Sequence, residues 1–222
     1  MIKKLVLLTG RRDLSAEQFK AHWAGPHAQI IKGIIAHFPS PDTVRYTQNR
    51  VIQTLQEISR LRDAFKVDGI VELHVPAPKP PASAVTSGAV QAMIADELRF
   101  LDGLTECVVD PVGEDLSLSE ASWKTIVISE RREGVALVDY KSQLEATYSS
   151  KIDGVQQRCF NWTSQIGFRA GLKNESSGPD SFVELWFEDR ERAAQVVSEG
   201  LHKMRDLVSR ASAFAVDPLK IL

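Results

Sequence analysis

VELHV, residues 71–75, returns 112 residues later as VELWF, residues 183–187. Both are short apolar runs of β-branched and large residues, which is the composition of a strand. Other fragments recur around this pair in the same order. KKLVLLTGRRD (3–13) resembles WKTIVISERRE (123–133), which sets Arg11-Arg12 against Arg131-Arg132 at an offset of 120. VRYTQN (44–49) and QRCFNW (157–162) set Arg45 against Arg158 at 113, and Val109-Asp110-Pro111 recurs as Val216-Asp217-Pro218 at 107. One such match means little. Four in order, with offsets that shrink smoothly along the chain, predict a tandem duplication.

Each copy reads as β-α-β-β-α-β. In the first, a strand over 2–9 ends at Gly10. Ser15 opens a capping-box pattern, Ser-Ala-Glu-Gln, and Phe19, Trp23, Ile30, Ile31, Ile34 and Ile35 mark a helical face as far as about His37. VRYTQNRVI alternates as the second strand. The polar residues 53–66 predict a partly helical insertion loop. VDGIVELHV (67–75) is the third strand, APKPPA (77–82) a stiff connector, 84–101 a helix, and TECVVDPV (105–112) a last strand ended by Pro111. The second copy repeats this with strands at 124–130, 155–168, 181–187 and 212–217 and helices at 135–149 and 189–211. GLKNESSGPD (171–180) is its turn-rich loop. Two repeats, 1–113 and 123–222, are expected on either side of a polar linker, 114–122. This is the ferredoxin-like order. An α+β protein follows, with two fused repeats whose antiparallel sheets pack into one barrel and leave their helices outside.

With 43% hydrophobic and 25% charged residues the chain is expected to be globular, and a net charge of -2 provides no basic field for nucleic acid or an anionic membrane. The apolar run near the N-terminus is too short for a signal peptide, and no run approaches a membrane span. Cys107 and Cys159 form no disulfide framework or ligand spacing. A cytoplasmic protein is expected, with no nucleic-acid or membrane partner, and a homo-oligomer stays open.

The candidate chemistry concentrates in FKAHWAGPHAQII, residues 19–31, where His22, Trp23 and His27 surround a Gly25-Pro26 step. Gly25 can end one helical segment and Pro26 start the next. His27 would then lie near a helix N-terminus, which lowers a histidine's pKa and keeps it able to accept a proton; a simple kink is the alternative. Five positions apart, His22 and His27 are about 140° around an ideal helix, wrong for two ligands on one face. No His-Glu-x-x-His, CxxC or Asp/Glu cluster occurs, so no metal site is expected, and no Gly-x-Ser-x-Gly or glycine-rich phosphate loop is present. On the third strand Glu72 and His74 share a face. Glu72 is either part of an acid–base relay or a structural partner of Arg45 or Arg50, and its recurrence as Glu184 favours structure. On the second strand Tyr46 and Gln48 share one face and Arg45, Thr47 and Asn49 the other; either could line a pocket. Phe160, Trp162 and Phe168 read as strand core.

The run LLTGRRDLSAEQFKAHWAGPHAQII, followed by VRYTQNRV and VDGIVELHV, resembles the EthD-type domain of the dimeric α/β-barrel superfamily. That pattern has a first strand ending in Arg, then Leu-Ser/Thr, Glu-x-Phe, a His/Tyr-Trp pair and a later His, then a Tyr-rich strand and an Asp-Gly-x-x-Glu-Leu strand. The second copy keeps the frame but has VALVDYKSQLEATY in place of the histidine helix, and so resembles a degenerate repeat. The resemblance implies a cofactor-independent enzyme of small aromatic or polyketide-like substrates. A lyase that loses water, carbon dioxide or an aldehyde is expected first, with His27 as base, His22 as partner or acid and Glu72 or Tyr46 orienting. Phe19, Trp23, Asn49 and His74 would bind substrate, with Phe19 and Trp23 as the apolar wall. A cofactor-free monooxygenase of a phenol and a non-catalytic, stress-associated binding barrel are the alternatives. Tyr140, Lys141 and Tyr148 replace the His-Trp-His set, so one working pocket per chain is expected; the alternative is a second pocket using Glu184, Trp186 and Tyr148.

Overall fold

Strand β1 (Ile2–Gly10) leads into a helix whose start is fixed by the expected capping box: the Ser15 hydroxyl accepts from the Gln18 amide at 3.2 Å and the Gln18 side chain accepts from the Ser15 amide at 2.8 Å. This computed structural model describes residues 1–77, 79–113, 123–149, 152–175 and 177–222; the expected linker 114–122 lies outside the described residues. The helix runs as α1 (Ala16–His22), a π-helical turn (Trp23–His27) and α2 (Ala28–Ile35). Strands β2 (Arg45–Ser59) and β3 (Gly69–Val75), helices α3 (Ala82–Thr86) and α4 (Ala89–Phe100), and strand β4 (Leu101–Gly113) complete the first copy. The second comprises β5 (Trp123–Arg131), α5 (Leu137–Thr147), β6 (Val155–Phe168), β7 (Ser181–Phe187), α6 (Arg190–Met204) and β8 (Val208–Lys220).

All eight strands close into one antiparallel barrel in the order β1-β3-β2-β8-β5-β7-β6-β4. Each half keeps the ferredoxin-like order, and two long strands weld the halves together. The first residues of β2 pair with β3 while residues 47–59 pair with β8; β6 likewise divides its length between β7 and β4. The first half of the insertion loop expected over 53–66, residues 53–59, is therefore strand. Its period-2 pattern is hidden by register shifts at Val51/Gln53 and Thr54/Gln56, and such irregularities break strand alternation. Leu55 and Ile58 pack against the second copy's core, and fully buried Phe65 joins the barrel interior. Pro111 does not end its strand either, because it pairs opposite Asn161 in β6. The last helix stops at Met204, before the expected 211, and the small residues Ala211, Ala213 and Ala215 belong to β8.

Pairing registers also correct the repeat alignment. Leu5 lies opposite Glu72 and Ile126 opposite Glu184, so the first strands match at an offset of 121 rather than 120. Tyr46 and Arg158 face Leu73 and Leu185, so Arg158 matches Tyr46 and not Arg45. A slip of one residue exchanges the faces of a strand. Lys3, not Lys4, is thus the counterpart of Lys124.

Those two lysines, 3% and 2% exposed, enter the barrel interior between Glu72 and Glu184. Lys3 pairs with Glu184 and, at 3.4 Å, with Glu72; Lys124 lies 2.8 Å from Glu72 and 2.7 Å from Glu184. Each lysine therefore holds a carboxylate from both copies. Burial opposes the charge on Glu72, but Lys124, His74 and Lys3 outweigh it and keep its pKa well below the usual value. The Glu72 partner is this pair of lysines, and Arg50 pairs with Asp217 instead. Apolar side chains including Leu5, Ile70, Ile126, Phe182 and Phe214 fill the rest of the interior.

Two outcomes follow from this closure. Glu184→Ala leaves Glu72 alone against two buried ammonium groups and is expected to cost about 3 kcal/mol, the lower end for breaking a buried pair, measured by denaturant unfolding. Residues 1–113 expressed alone would lose the β8 and β6 partners of β2 and β4, and light scattering should find them self-associated or insoluble. A stable monomer from that half would count against two interdependent repeats.

Candidate functional site

Gly25 and Pro26 do not divide the helix. The backbone stays right-handed helical from His22 through Ala28, with one wide turn, Trp23–His27, in which Pro26 contributes no N–H. The Trp23 carbonyl accepts a hydrogen bond from the Gln48 side chain at 2.8 Å, so a group from β2 satisfies the turn. A π turn joins residues i and i+5, which brings positions five apart onto nearly the same side. His22 and His27 therefore converge on one buried carboxylate instead of diverging. His27 Nδ1 lies 2.9 Å from Asp96 Oδ2, and His22 Nε2 lies 3.0 Å from Asp96 Oδ1. Phe100, one turn on from Asp96 along α4, stacks on His22 at 4.7 Å between centroids and tilts against His27 at 5.0 Å.

His27 borders a cavity of about 310 Å³ between the first copy's helices and sheet. Val6, Leu8, Ile34, Phe38, Val71 and Leu104 supply much of its apolar wall. Its polar residues are His27, Tyr46, Lys79 at the rim and two ion pairs, Lys4–Glu106 at 2.9 Å and Arg169–Glu97 at 2.6 Å. With Nδ1 directed at Asp96, Nε2 is the His27 nitrogen left to the cavity. Burial lowers the His27 pKa below its ordinary value, against the opposing pull of Asp96. The cause is not a helix N-terminus, as expected from sequence, because His27 lies inside a continuous helix. Burial also pushes the Tyr46 pKa up to about 12, opposed by hydrogen bonds from Gln48 and Trp23. Tyr46 oxygen accepts from Trp23 Nε1 at 3.1 Å and from Gln48 Nε2 at 3.3 Å, which leaves its own proton to donate.

The structure thus brings together His22, His27 and Tyr46 and separates the other candidates from them. Trp23 and Phe19 lie behind the cavity rather than in its wall. The Trp23 ring presses so closely on β3 that a Cβ at Gly69 would come within 2.3 Å of it, which is why that strand begins with glycine. Glu72 and His74 share the interior face of the barrel, on the far side of the sheet, 3.2 Å apart. Asn49, fully buried, faces the interior as well, and its amide has no hydrogen-bond partner among the described residues. Asp96 escaped the sequence reading. Its signal was a carboxylate within the apolar stripe of α4, three residues after Met93 and four before Phe100. No group of three or more His, Cys, Asp and Glu side chains among the described residues is arranged to hold a metal ion.

The corresponding layer of the second copy is packed with Tyr140, Leu144, Tyr148, Phe160 and Trp162. Trp186 points the other way, with Lys124 Nζ 4.9 Å from its ring, so Glu184, Trp186 and Tyr148 do not share a pocket. Phe168, expected in the core, is exposed.

The closed barrel with helices outside is the fold of dimeric α/β-barrel proteins, formed here within one chain. Among solved structures it is similar to an anthrone oxidase-like protein, at 7% identity and a TM-score of 0.56, covering 99% of this chain and 93% of that one. A mutant chlorite dismutase from Candidatus Nitrospira defluvii in complex with cyanide is similar at 7% identity and a TM-score of 0.51, covering 97% and 90%. No curated protein matches by sequence. Residues 11–104, within the copy that carries the histidines, match the EthD domain family.

Folding lowers the His27 pKa, so the unfolded chain takes up this proton first. The stability this group contributes is complete above about pH 6.5 and declines as pH falls toward the folded value. Imidazole NMR should find His27 titrating below 6.5, and Asp96→Asn should drive it lower still. An upward move on that substitution would show that Asp96 is not its partner.

Proposed function

We propose that the cavity is the active site of a cofactor-independent enzyme that removes a proton next to a carbonyl or from a phenol of a small, mostly apolar substrate. The Asp96-held His27, with one nitrogen left to an apolar cavity, carries this reading. The carboxylate sets the Nδ1–H tautomer and stabilises the imidazolium formed when Nε2 accepts the proton. His22 serves as the second donor that fixes Asp96; it does not border the cavity, so the acid role is not assigned to it. Tyr46, with a proton to donate and a raised pKa, orients the substrate oxygen. A lyase follows when the resulting anion expels hydroxide, which takes the proton back from the His27 imidazolium and leaves as water. It follows equally when a carbon–carbon bond breaks to release carbon dioxide or an aldehyde and the carbanion left behind takes that proton.

The apolar cavity also suits dioxygen attack on a phenolate, and one solved structure of the same fold carries an anthrone oxidase-like name. That is the second reading. A panel of phenols and hydroxy-carbonyl compounds, followed by product analysis, tests both. His27→Ala should reduce turnover about 100- to 10,000-fold, the contribution of a positioned acid–base group, with the fold intact by circular dichroism. Full turnover by that variant overturns the assignment. Oxygen uptake matching product selects the oxygenase, and undiminished anaerobic turnover selects the lyase.

A further inference from the structure

Asp96 and Glu97 are consecutive on α4 and turn to different partners. Asp96 holds the histidines. Glu97 holds Arg169, which follows β6 in the second copy and reaches across to border the cavity of the first. The guanidinium meets Glu97 side-on, through Nε at 2.6 Å and Nη2 at 3.2 Å. An arginine carries five N–H donors in a rigid fork. Of these, Nη2 donates to Glu97 while Nε only lies against the carboxylate as an ion-pair contact, and Nη1 has no partner among the described residues. Lys4, by contrast, presents a point charge that already lies 2.9 Å from Glu106.

We propose that Arg169 is the anion-binding group of this cavity, and that its ligands are phenols or enols bound in the ionised form. This rests on the proposed function for its chemistry. When His27 Nε2 takes the proton, the electron pair of the broken bond stays on the substrate as an oxygen anion. Lys79 is exposed at the rim, whereas Arg169 is three-quarters buried beside Glu97 and has donors left to meet that anion. The site would then be composite: the base comes from one copy and the charge stabiliser from the other. Glu97 has two effects. It positions Arg169, and it competes with the ligand for the same charge. Burial raises the Glu97 pKa against the pull of Arg169.

The test uses the whole chain and a nitrophenol that ionises near neutral pH, whose two forms are distinguished by absorbance. Binding is measured across pH by titration. The wild-type protein should prefer the ionised form, and Arg169→Gln should weaken its binding about 10- to 100-fold, as expected for losing a hydrogen bond to a charged group, while neutral-phenol binding changes little. Arg169→Lys should retain part of the preference. Glu97→Gln keeps the arginine and removes its counter-ion, so it should bind the ionised probe more tightly than wild type; this outcome also covers an Arg169→Gln variant that fails to fold. Equal affinity for the two forms, no binding of the probe, or weaker binding by Glu97→Gln overturns the proposal. His27→Ala separates the two ideas: loss of turnover concerns the base, whereas the charge preference should survive that substitution if Arg169 sets it.

Discussion

Two lysines and two glutamates buried inside the barrel must neutralise one another, and the chain can do this only by closing. Removing ions from water costs several kcal/mol each unless each finds opposite charge and hydrogen bonds. Lys3 and Glu72 come from one copy and Lys124 and Glu184 from the other, and each lysine meets both acids. An isolated half would expose an incomplete set. The charge pattern therefore specifies that the halves face each other in this register, while the surrounding apolar side chains supply the burial.

Closure fixes the sheet, and the sheet fixes the helix above it. Trp23 rests on the bare backbone at Gly69, and Gln48 reaches up to the Trp23 carbonyl. These contacts hold the wide turn in place. The turn in turn aligns His22 with His27 over Asp96. A regular α-helix would leave the two imidazoles about 140° apart, and only one could meet the carboxylate.

The two copies have diverged around a common frame. In the first, the space between helices and sheet is a cavity bordered by His27 and Tyr46. In the second, Tyr140 and Tyr148 are fully buried in the equivalent layer, and Tyr140 bonds to Ser129 at 2.8 Å and Ser181 at 2.6 Å. Large aromatic side chains replaced the histidines and left packed core. What the second copy supplies to the cavity comes from its far end, where Arg169 pairs with Glu97.

Local pattern alone determined a good deal: the tandem β-α-β-β-α-β order, the capping box at Ser15, the strands around both Val-Glu-Leu runs, and the crowding of histidines in one helix. Periodicity, caps and turn residues act over a few positions, so the chain records them directly. Pairing partners decided the rest. Sequence matching places the first two strand pairs one residue out, because register is set by cross-strand contact, and one step moves Lys3 to the interior and Lys4 to the cavity side. Residues 53–59 hid as a loop because their strand is irregular and pairs with the other copy. Glu72 and His74 share a face, as the alternation required, but only closure made that face the inside of a barrel. Asp96 lies 69 residues from His27 along the chain, and no local rule joins them; the packing of α4 across the π turn does.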